Sequence, residues 1–223
     1  MRAKQQLNTV LLSILFALCS MLLHAQPYAE QIAAFKKQDS TSFPAKNGIV
    51  FIGSSSFTRW TDVQNYFPGK RIINRAFGGS TLPEVIMYVD EIVTPYSPKQ
   101  VVIYCGENDL TDDKVTPVMA LDRFKQLFTA LRSKMPKVSI VYMGMKPSPS
   151  RRKIFGKVMV ANGYIRDYMN EQHYAYFIDT YYPMLLKNGQ PNGALFTEDS
   201  LHMNADGYKL WKYLMDPYIL RAK

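Results

Sequence analysis

The sequence predicts an α/β fold built on a parallel sheet. Short apolar runs, rich in β-branched residues and flanked by glycine or proline, alternate with segments whose apolar residues recur at the helical period. Because parallel strands need crossover connections, this alternation is typical of a sheet covered by helices on both faces. A chain of 223 residues with 47% hydrophobic residues can also bury one large core. The predicted strands cover residues 48–52, 71–74, 100–104, 139–143 and 176–178.

The predicted helices end where the sequence supplies a stop signal. Proline follows the third and the last of them, and Asn204 can cap the start of the last. A polar connector over residues 38–47 separates the first helix from the sheet. The predicted helices cover residues 28–37, 57–66, 121–131 and 154–169, with a last helix between Asn204 and Pro217.

The amino terminus has the pattern of a secretory signal peptide. Arg2 and Lys4 precede an apolar run over residues 10–23, and the small Ala25 precedes a polar residue. The run is shorter than the ~20 apolar residues of a membrane-spanning helix, although an uncleaved anchor is the alternative. We therefore expect a signal peptide over residues 1–25, a single domain over residues 26–223, a periplasmic or secreted location, and no stable membrane anchor after cleavage.

The basic charge gives little indication of a partner. Part of the formal net charge of +9 belongs to the predicted signal peptide, and no nucleic-acid-binding motif accompanies the rest, so a nucleic-acid partner is not expected. The cations at residues 151–153, with Lys146 and Lys157, are interpreted as a solvated helix face rather than a surface that steers an anionic substrate. The sequence contains no spacing typical of a metal site, so no metal is expected.

Four polar motifs occupy candidate site positions. Three follow predicted strands and the fourth precedes the last helix, and ligands of parallel α/β sheets bind at the carboxyl ends of the strands. Each motif alone is also typical of an ordinary turn or helix cap. The motifs are Gly53-Ser54-Ser55-Ser56, Gly78-Gly79-Ser80-Thr81, Gly106-Glu107-Asn108-Asp109 and Asp199-Ser200-Leu201-His202.

Together the four motifs supply the groups that acyl transfer requires. A serine of the first motif would lie at a helix amino terminus with its hydroxyl exposed. The paired glycines and the amide of Asn108 can donate hydrogen bonds to a developing oxyanion. Asp199 can hold the tautomer of His202, which can act as a general base. Cys105 is an alternative nucleophile, but a cysteine at a strand end is more typical of a small buried hydrophobe.

These motifs resemble the four blocks of the SGNH, or GDSL, family of serine hydrolases. The resemblance implies Ser55 as nucleophile, His202 as base and Asp199 as its orienting residue. It also implies an oxyanion hole formed by the N–H groups of Ser55 and Gly79 and the side-chain amide of Asn108, with no cofactor. The family fold is a three-layer α/β/α sandwich with a five-stranded parallel sheet, similar to flavodoxin.

Two further features of the sequence bear on the resemblance to this family. Ser54 stands where the family usually has aspartate, a departure that is familiar within the family and is not expected to remove activity. The stretch Lys146-Pro147-Ser148-Pro149 resembles the bacterial branch likened to the catalytic subunit of platelet-activating-factor acetylhydrolase.

The sequence therefore predicts an exported carboxylic ester hydrolase that acts by a Ser-His-Asp acyl-enzyme mechanism. The expected substrate is a small-molecule or glycan ester with a short acyl group, acetyl above all, on a carbohydrate. One alternative is a lysophospholipase- or lipase-like acylhydrolase that prefers longer chains. The other is a non-catalytic binding protein on a hydrolase scaffold. The sequence gives no indication of an oligomeric state.

Overall fold

The computed structural model describes residues 27–220 and contains a five-stranded sheet in which all paired strands are parallel. The strand order is β2-β1-β3-β4-β5, the order of flavodoxin-like folds, and it reverses direction at β1. The predicted fold class is confirmed, and each predicted strand boundary is correct to within one residue. The strands are β1 Ile49–Gly53, β2 Ile72–Asn74, β3 Gln100–Tyr104, β4 Ser139–Met143 and β5 Ala175–Ile178.

Two of the longer helices begin at side chains that cap them. Thr116 accepts a hydrogen bond from the Met119 N–H at the start of α6, and Asn204 accepts two at the start of α8, as the sequence predicted. Short 3₁₀ turns cover Thr94–Tyr96, Asp109–Thr111, Pro149–Ile154, Tyr182–Met184 and Gly193–Leu195. The α-helices are α1 Ala29–Thr41, α2 Ser55–Thr58, α3 Val63–Tyr66, α4 Leu82–Met87, α5 Val89–Ile92, α6 Pro117–Lys134, α7 Phe155–Asn170 and α8 Ala205–Met215.

Helices cover the sheet from both sides because successive strand side chains point to opposite faces. On one face, Phe51 and Val102 are paired in register and pack into a core with aromatic residues of α2 and α8. On the other side, Tyr142 of β4 makes an edge contact with Phe124 of α6. Helix α6 packs against α4 and α7. The sheet is therefore the middle layer, and its carboxyl edge is left for loops.

The helix predicted over residues 57–66 is wrong as a single element, because the chain forms α2 and α3 with a break between them. The cause is Trp60, which lies in the break with its side chain fully buried. Its indole stacks on Tyr208 of α8 at 4.7 Å between ring centroids and also contacts Phe51 of β1. The stacking partner, Tyr208, is far away in the sequence, so the local pattern does not indicate this contact.

The first helix is longer than predicted and ends at Thr41 instead of residue 37. Its last turn is held from outside, because Asp39 forms a salt bridge of 2.5 Å with the buried Arg75 and accepts a hydrogen bond from Tyr96. Burial and the hydrogen bond to Asp39 raise the pKa of Tyr96 to about 12. Part of the predicted polar connector is therefore helical because of tertiary contacts.

The amino-terminal prediction has no structural counterpart, because the predicted signal peptide, residues 1–25, lies outside the described residues. Within residues 27–220, no helix combines the length and hydropathy of a membrane span.

Candidate active site

Ser55 is positioned by the end of β1. Gly53 has a φ of +124°, and a Cβ atom there would lie 1.9 Å from the carbonyl oxygen of Tyr104. Only glycine therefore lets β1 run this close to β3 before the chain turns. The next N–H, that of Ser54, donates to the Tyr104 carbonyl at 2.9 Å. Ser55 then begins α2 at the carboxyl edge of the sheet, beside the point where the strand order reverses.

Asp199 and His202 are held together by a tight loop. Ser200 has a φ of +55°, and this left-handed residue turns the N–H groups of Leu201 and His202 toward Asp199. The Oδ1 atom of Asp199 accepts hydrogen bonds from both of these N–H groups at 2.9 Å and from the Thr197 hydroxyl at 2.8 Å. The other carboxylate oxygen, Oδ2, is left to face the imidazole ring. The spacing of the motif therefore produces this geometry from local contacts.

The imidazole of His202 joins Asp199 to Ser55. Its Nδ1 atom lies 2.6 Å from Oδ2 of Asp199, and its Nε2 atom lies 3.0 Å from Oγ of Ser55. An ionised carboxylate only accepts hydrogen bonds, so it selects the tautomer that carries a proton on Nδ1. The lone pair of Nε2 is then directed at the serine hydroxyl. The ring itself is buried, with 8% of the residue exposed.

The electrostatics of the loop keep Asp199 ionised. Partial burial acts to raise its pKa, but the hydrogen bonds from His202, Leu201 and Thr197 outweigh this effect and hold the pKa well below its ordinary value. The guanidinium of Arg59 lies 3.7 Å from Oδ2 and adds a positive charge nearby. The carboxylate can therefore stabilise an imidazolium that forms on His202.

The predicted oxyanion-hole residues lie on three neighbouring segments of this edge. Gly79 has a φ of +78°, in the left-handed region, and follows β2. Among residues 27–220, the backbone N–H groups of Ser55 and Gly79 donate to no protein acceptor. Asn108 follows β3, and its Nδ2 atom donates to the carbonyl of Ser80 at 3.0 Å, which leaves its second N–H free. The described site therefore contains unpaired donors of the kind that an oxyanion needs.

A buried ion pair involves Glu107, the residue before Asn108, and the sequence did not predict it. Glu107 is 4% exposed and Lys146 is 2% exposed, and the two side chains form a salt bridge of 2.8 Å. The hydroxyls of Ser148 and Tyr104 donate to the same carboxylate at 2.6 and 2.5 Å. Burial acts to raise the pKa of Glu107, but the charge of Lys146 and these hydrogen bonds lower it overall.

The prediction of a solvated cationic face is wrong for Lys146, which is in the core, and incomplete for Arg151. Arg151 is partly buried and donates to the Asn108 side chain, whereas Arg152 and Lys153 are exposed as predicted. Lys157 is partly buried and donates to backbone carbonyl groups that include that of Val115. The sequence feature that could have indicated this cluster is Lys146-Pro147-Ser148-Pro149, which follows shortly after the buried strand β4.

Cys105 is poorly placed to act as a nucleophile. Its side chain is fully buried, as predicted, and its Sγ atom contacts the Ser80 carbonyl at 3.6 Å. Burial raises the pKa of this thiol well above its ordinary value, which disfavours the reactive thiolate. His173, the other histidine after the predicted signal peptide, is exposed. Within residues 27–220, no cluster of three or more potential metal ligands is present.

A family model described as the GDSL-like lipase/acylhydrolase family matches residues 44–210. The chain belongs to this family. The match includes all four motifs of the site, so this GDSL enzyme is a carboxylic ester hydrolase of the acylhydrolase class. The prediction of family and enzyme class from the four motifs is therefore confirmed. A search of curated protein sequences finds no match.

Several solved structures share the fold of this GDSL protein at low sequence identity. A Streptococcus pneumoniae protein described as a platelet activating factor has a TM-score of 0.77 at 19% identity, over 93% of this chain and 99% of the other. A GDSL-like lipase from Bacteroides thetaiotaomicron has a TM-score of 0.72 at 21% identity, over 84% and 96%. The acetylxylan esterase Axe2 from Geobacillus stearothermophilus has a TM-score of 0.62 at 16% identity, over 81% and 99%.

Proposed function

We propose that this protein is a serine esterase that hydrolyses short-chain carboxylic esters through an acyl-enzyme intermediate. The observation that carries the proposal is the contact chain from Ser55 through His202 to Asp199, at 3.0 and 2.6 Å. A serine hydroxyl is a weak nucleophile until a base removes its proton, and here a base of the required tautomer is within hydrogen-bonding distance.

The proposed mechanism uses this geometry. The Oγ atom of Ser55 attacks the ester carbonyl carbon while its proton moves to Nε2 of His202, and Asp199 stabilises the imidazolium. The oxyanion of the tetrahedral intermediate accepts hydrogen bonds from the N–H groups of Ser55 and Gly79 and from the amide of Asn108. The imidazolium then protonates the leaving alcohol. Water attacks the acyl-enzyme by the same steps, which releases the acid and restores the serine.

The proposed substrate is an acetyl ester on a carbohydrate. Support comes from the resemblance of the motifs and from two structural neighbours whose names place an acetyl group on a glycan, an acetylxylan esterase and a peptidoglycan O-acetyltransferase. The proposed export signal over residues 1–25 agrees with this substrate class, because it would deliver the enzyme to the envelope or beyond, where such polymers occur.

A fluorophosphonate probe tests the proposed nucleophile directly. We expect the folded protein to be labelled at a single residue, Ser55, because the probe reacts with a serine that an adjacent base activates. Peptide mapping by mass spectrometry locates the label. The Ser56→Ala variant is the matched control, since this neighbouring serine is buried, and it should label normally. Absence of labelling in folded wild-type protein would contradict the proposal and favour the non-catalytic binding protein.

Acyl-chain preference separates the short-chain esterase from the lipase-like alternative. We expect kcat/KM for p-nitrophenyl acetate to exceed that for p-nitrophenyl octanoate by about tenfold or more, a discrimination that differences in a binding pocket readily supply. Both substrates release the same alcohol, so the comparison isolates the acyl group. A higher kcat/KM for the octanoate would overturn the short-chain assignment and support a lipase-like enzyme.

Removal of the Asn108 amide tests the proposed oxyanion hole. We expect Asn108→Ala to lower kcat by about a hundredfold to a thousandfold with a small change in KM, because the lost hydrogen bond is made mainly in the transition state. Steady-state kinetics on p-nitrophenyl acetate measures both constants. Asn170→Ala, at the exposed end of α7, is the control. An unchanged kcat would remove Asn108 from the proposed mechanism.

A further inference from the structure

Three side chains of the segment from Lys146 to Arg151 make polar contacts with one short loop, Gly106 to Asp109, which carries Asn108. Lys146 and Ser148 bind the carboxylate of Glu107, and Arg151 Nη1 donates to the Glu107 carbonyl at 3.3 Å. Arg151 Nη2 donates to Oδ1 of Asn108 at 2.8 Å. The proposed mechanism uses only Asn108 from this cluster and assigns no step to the other side chains.

The oxygen of the Asn108 amide faces a hydrogen-bond donor, and its nitrogen faces an acceptor. A guanidinium group can only donate hydrogen bonds, so it requires the oxygen Oδ1 on the side of Arg151. The Ser80 carbonyl can only accept, so it requires the nitrogen Nδ2 on its side. An amide rotated by half a turn would face a donor with a donor and an acceptor with an acceptor. The remaining N–H of Nδ2 therefore has one defined direction.

The positive charge of Arg151 adds to this orienting effect. A hydrogen bond from a cation to an amide oxygen is stronger than one between neutral groups, and it draws electron density away from the amide nitrogen. The N–H groups of Nδ2 become better donors as a result. Arg151 is itself restrained, since its side chain is 20% exposed and its Nε atom lies 3.8 Å from the buried Glu107 carboxylate.

We propose that Arg151 is a positioning residue of the esterase, whose guanidinium holds and polarises the Asn108 amide so that Nδ2 donates to the oxyanion. This inference rests on the proposed function. It also gives the buried pair of Lys146 and Glu107 a role, because that pair anchors the loop and the carboxylate beside which Arg151 lies. Arg151 acts on the transition state through Asn108, and among residues 27–220 the polar contacts of its side chain are with Glu107 and Asn108.

The first test is the kinetics of Arg151→Met, which keeps the apolar stem and removes the charge and the donors. We expect kcat on p-nitrophenyl acetate to fall about tenfold to hundredfold with KM nearly unchanged, since a charge-assisted hydrogen bond contributes on this scale. Arg152→Met is the matched control, because Arg152 is exposed and contacts Gln190 instead. Arg151→Lys, which keeps a cationic donor, should recover part of the lost kcat. A kcat for Arg151→Met equal to that of wild type would overturn the proposal.

A double-mutant cycle separates positioning from a general structural role. In the Asn108→Ala background, the added Arg151→Met substitution should have no further effect on kcat, because the amide through which it acts is gone. A second loss of the same size as in wild type would overturn the proposal, since Arg151 would then act independently of Asn108. Thermal unfolding of each variant verifies that it is folded at the assay temperature. Failure of the proposed function is distinguishable, because wild-type protein would then neither hydrolyse the ester nor label at Ser55.

Discussion

Replacement of Ser55 by alanine is expected to lower kcat for short p-nitrophenyl esters by at least about ten-thousandfold. The variant lacks the only atom that forms a covalent bond to the acyl group in the proposed mechanism. His202 and Asp199 remain in place but have no nucleophile to activate. Hydrolysis by pure variant, measured over hours against buffer, sets the limit of the effect.

The structure also predicts that this substitution is tolerated by the fold. Ser55 is partly exposed and begins α2, and among residues 27–220 its hydroxyl forms a hydrogen bond only with Nε2 of His202. We therefore expect the unfolding temperature of Ser55→Ala to remain close to that of wild type. Ser56→Ala, one residue along, should keep nearly full activity. Wild-type activity in pure Ser55→Ala protein would exclude the proposed nucleophile.

Replacement of Lys146 by methionine is expected to lower the free energy of unfolding by about 3–5 kcal/mol, the usual cost of leaving one partner of a buried ion pair uncompensated. Methionine fills a similar volume but cannot balance the charge of Glu107, whose side chain is 5% exposed and whose other cationic neighbour, Arg151, is 3.8 Å away. Chemical denaturation monitored by fluorescence measures the loss. Lys153→Met, on the same segment but exposed, is the control and should change stability little.

The loss should depend on pH in a direction that the ion pair determines. In wild type, burial acts to raise the pKa of Glu107, but Lys146 and the hydroxyl donors lower it below the ordinary value of 4.5. Without Lys146, the Arg151 guanidinium at 3.8 Å and the two hydroxyls still favour the carboxylate, but we expect burial to dominate and the folded-state pKa to lie above the unfolded one. Such a group costs no ionisation energy below the unfolded pKa and destabilises the fold increasingly as the pH rises.

The stability deficit of Lys146→Met should therefore be smaller at about pH 5 than at about pH 7. Combining it with Glu107→Gln should recover much of the deficit at the higher pH, because the unpaired charge is removed. An equal deficit at both pH values, or no recovery in the double variant, would contradict this account. If the single variant does not fold at the higher pH, its folding at the lower pH provides the same comparison.

Much of the sheet could be predicted from local sequence. Strands buried on both faces of a parallel sheet must be apolar at nearly every position, so β3 and β4 appear as uninterrupted runs with correct boundaries. The helix boundary at Asn204 was equally predictable, because a capping side chain acts on N–H groups within three residues of itself.

The same locality explains why the candidate site could be recognised. The turn after β1 needs a glycine at position 53, and the contact of Asp199 with His202 forms within one loop. These requirements leave short contiguous motifs. The contact between His202 and Ser55, by contrast, joins residues far apart in the chain and was predicted only through the resemblance to a known family.

Tertiary structure decided the features whose partners are remote in sequence. Trp60 breaks a helix to stack on Tyr208, and Asp39 extends another through Arg75. Lys146 appeared to be one more cation of a basic segment until the fold paired it with Glu107 in the core. The sequence around a charged residue does not show whether its side chain is buried, because burial of a charge requires a partner that the fold supplies. The sequence therefore specified the strands and the reactive groups, and the fold determined which charges support them.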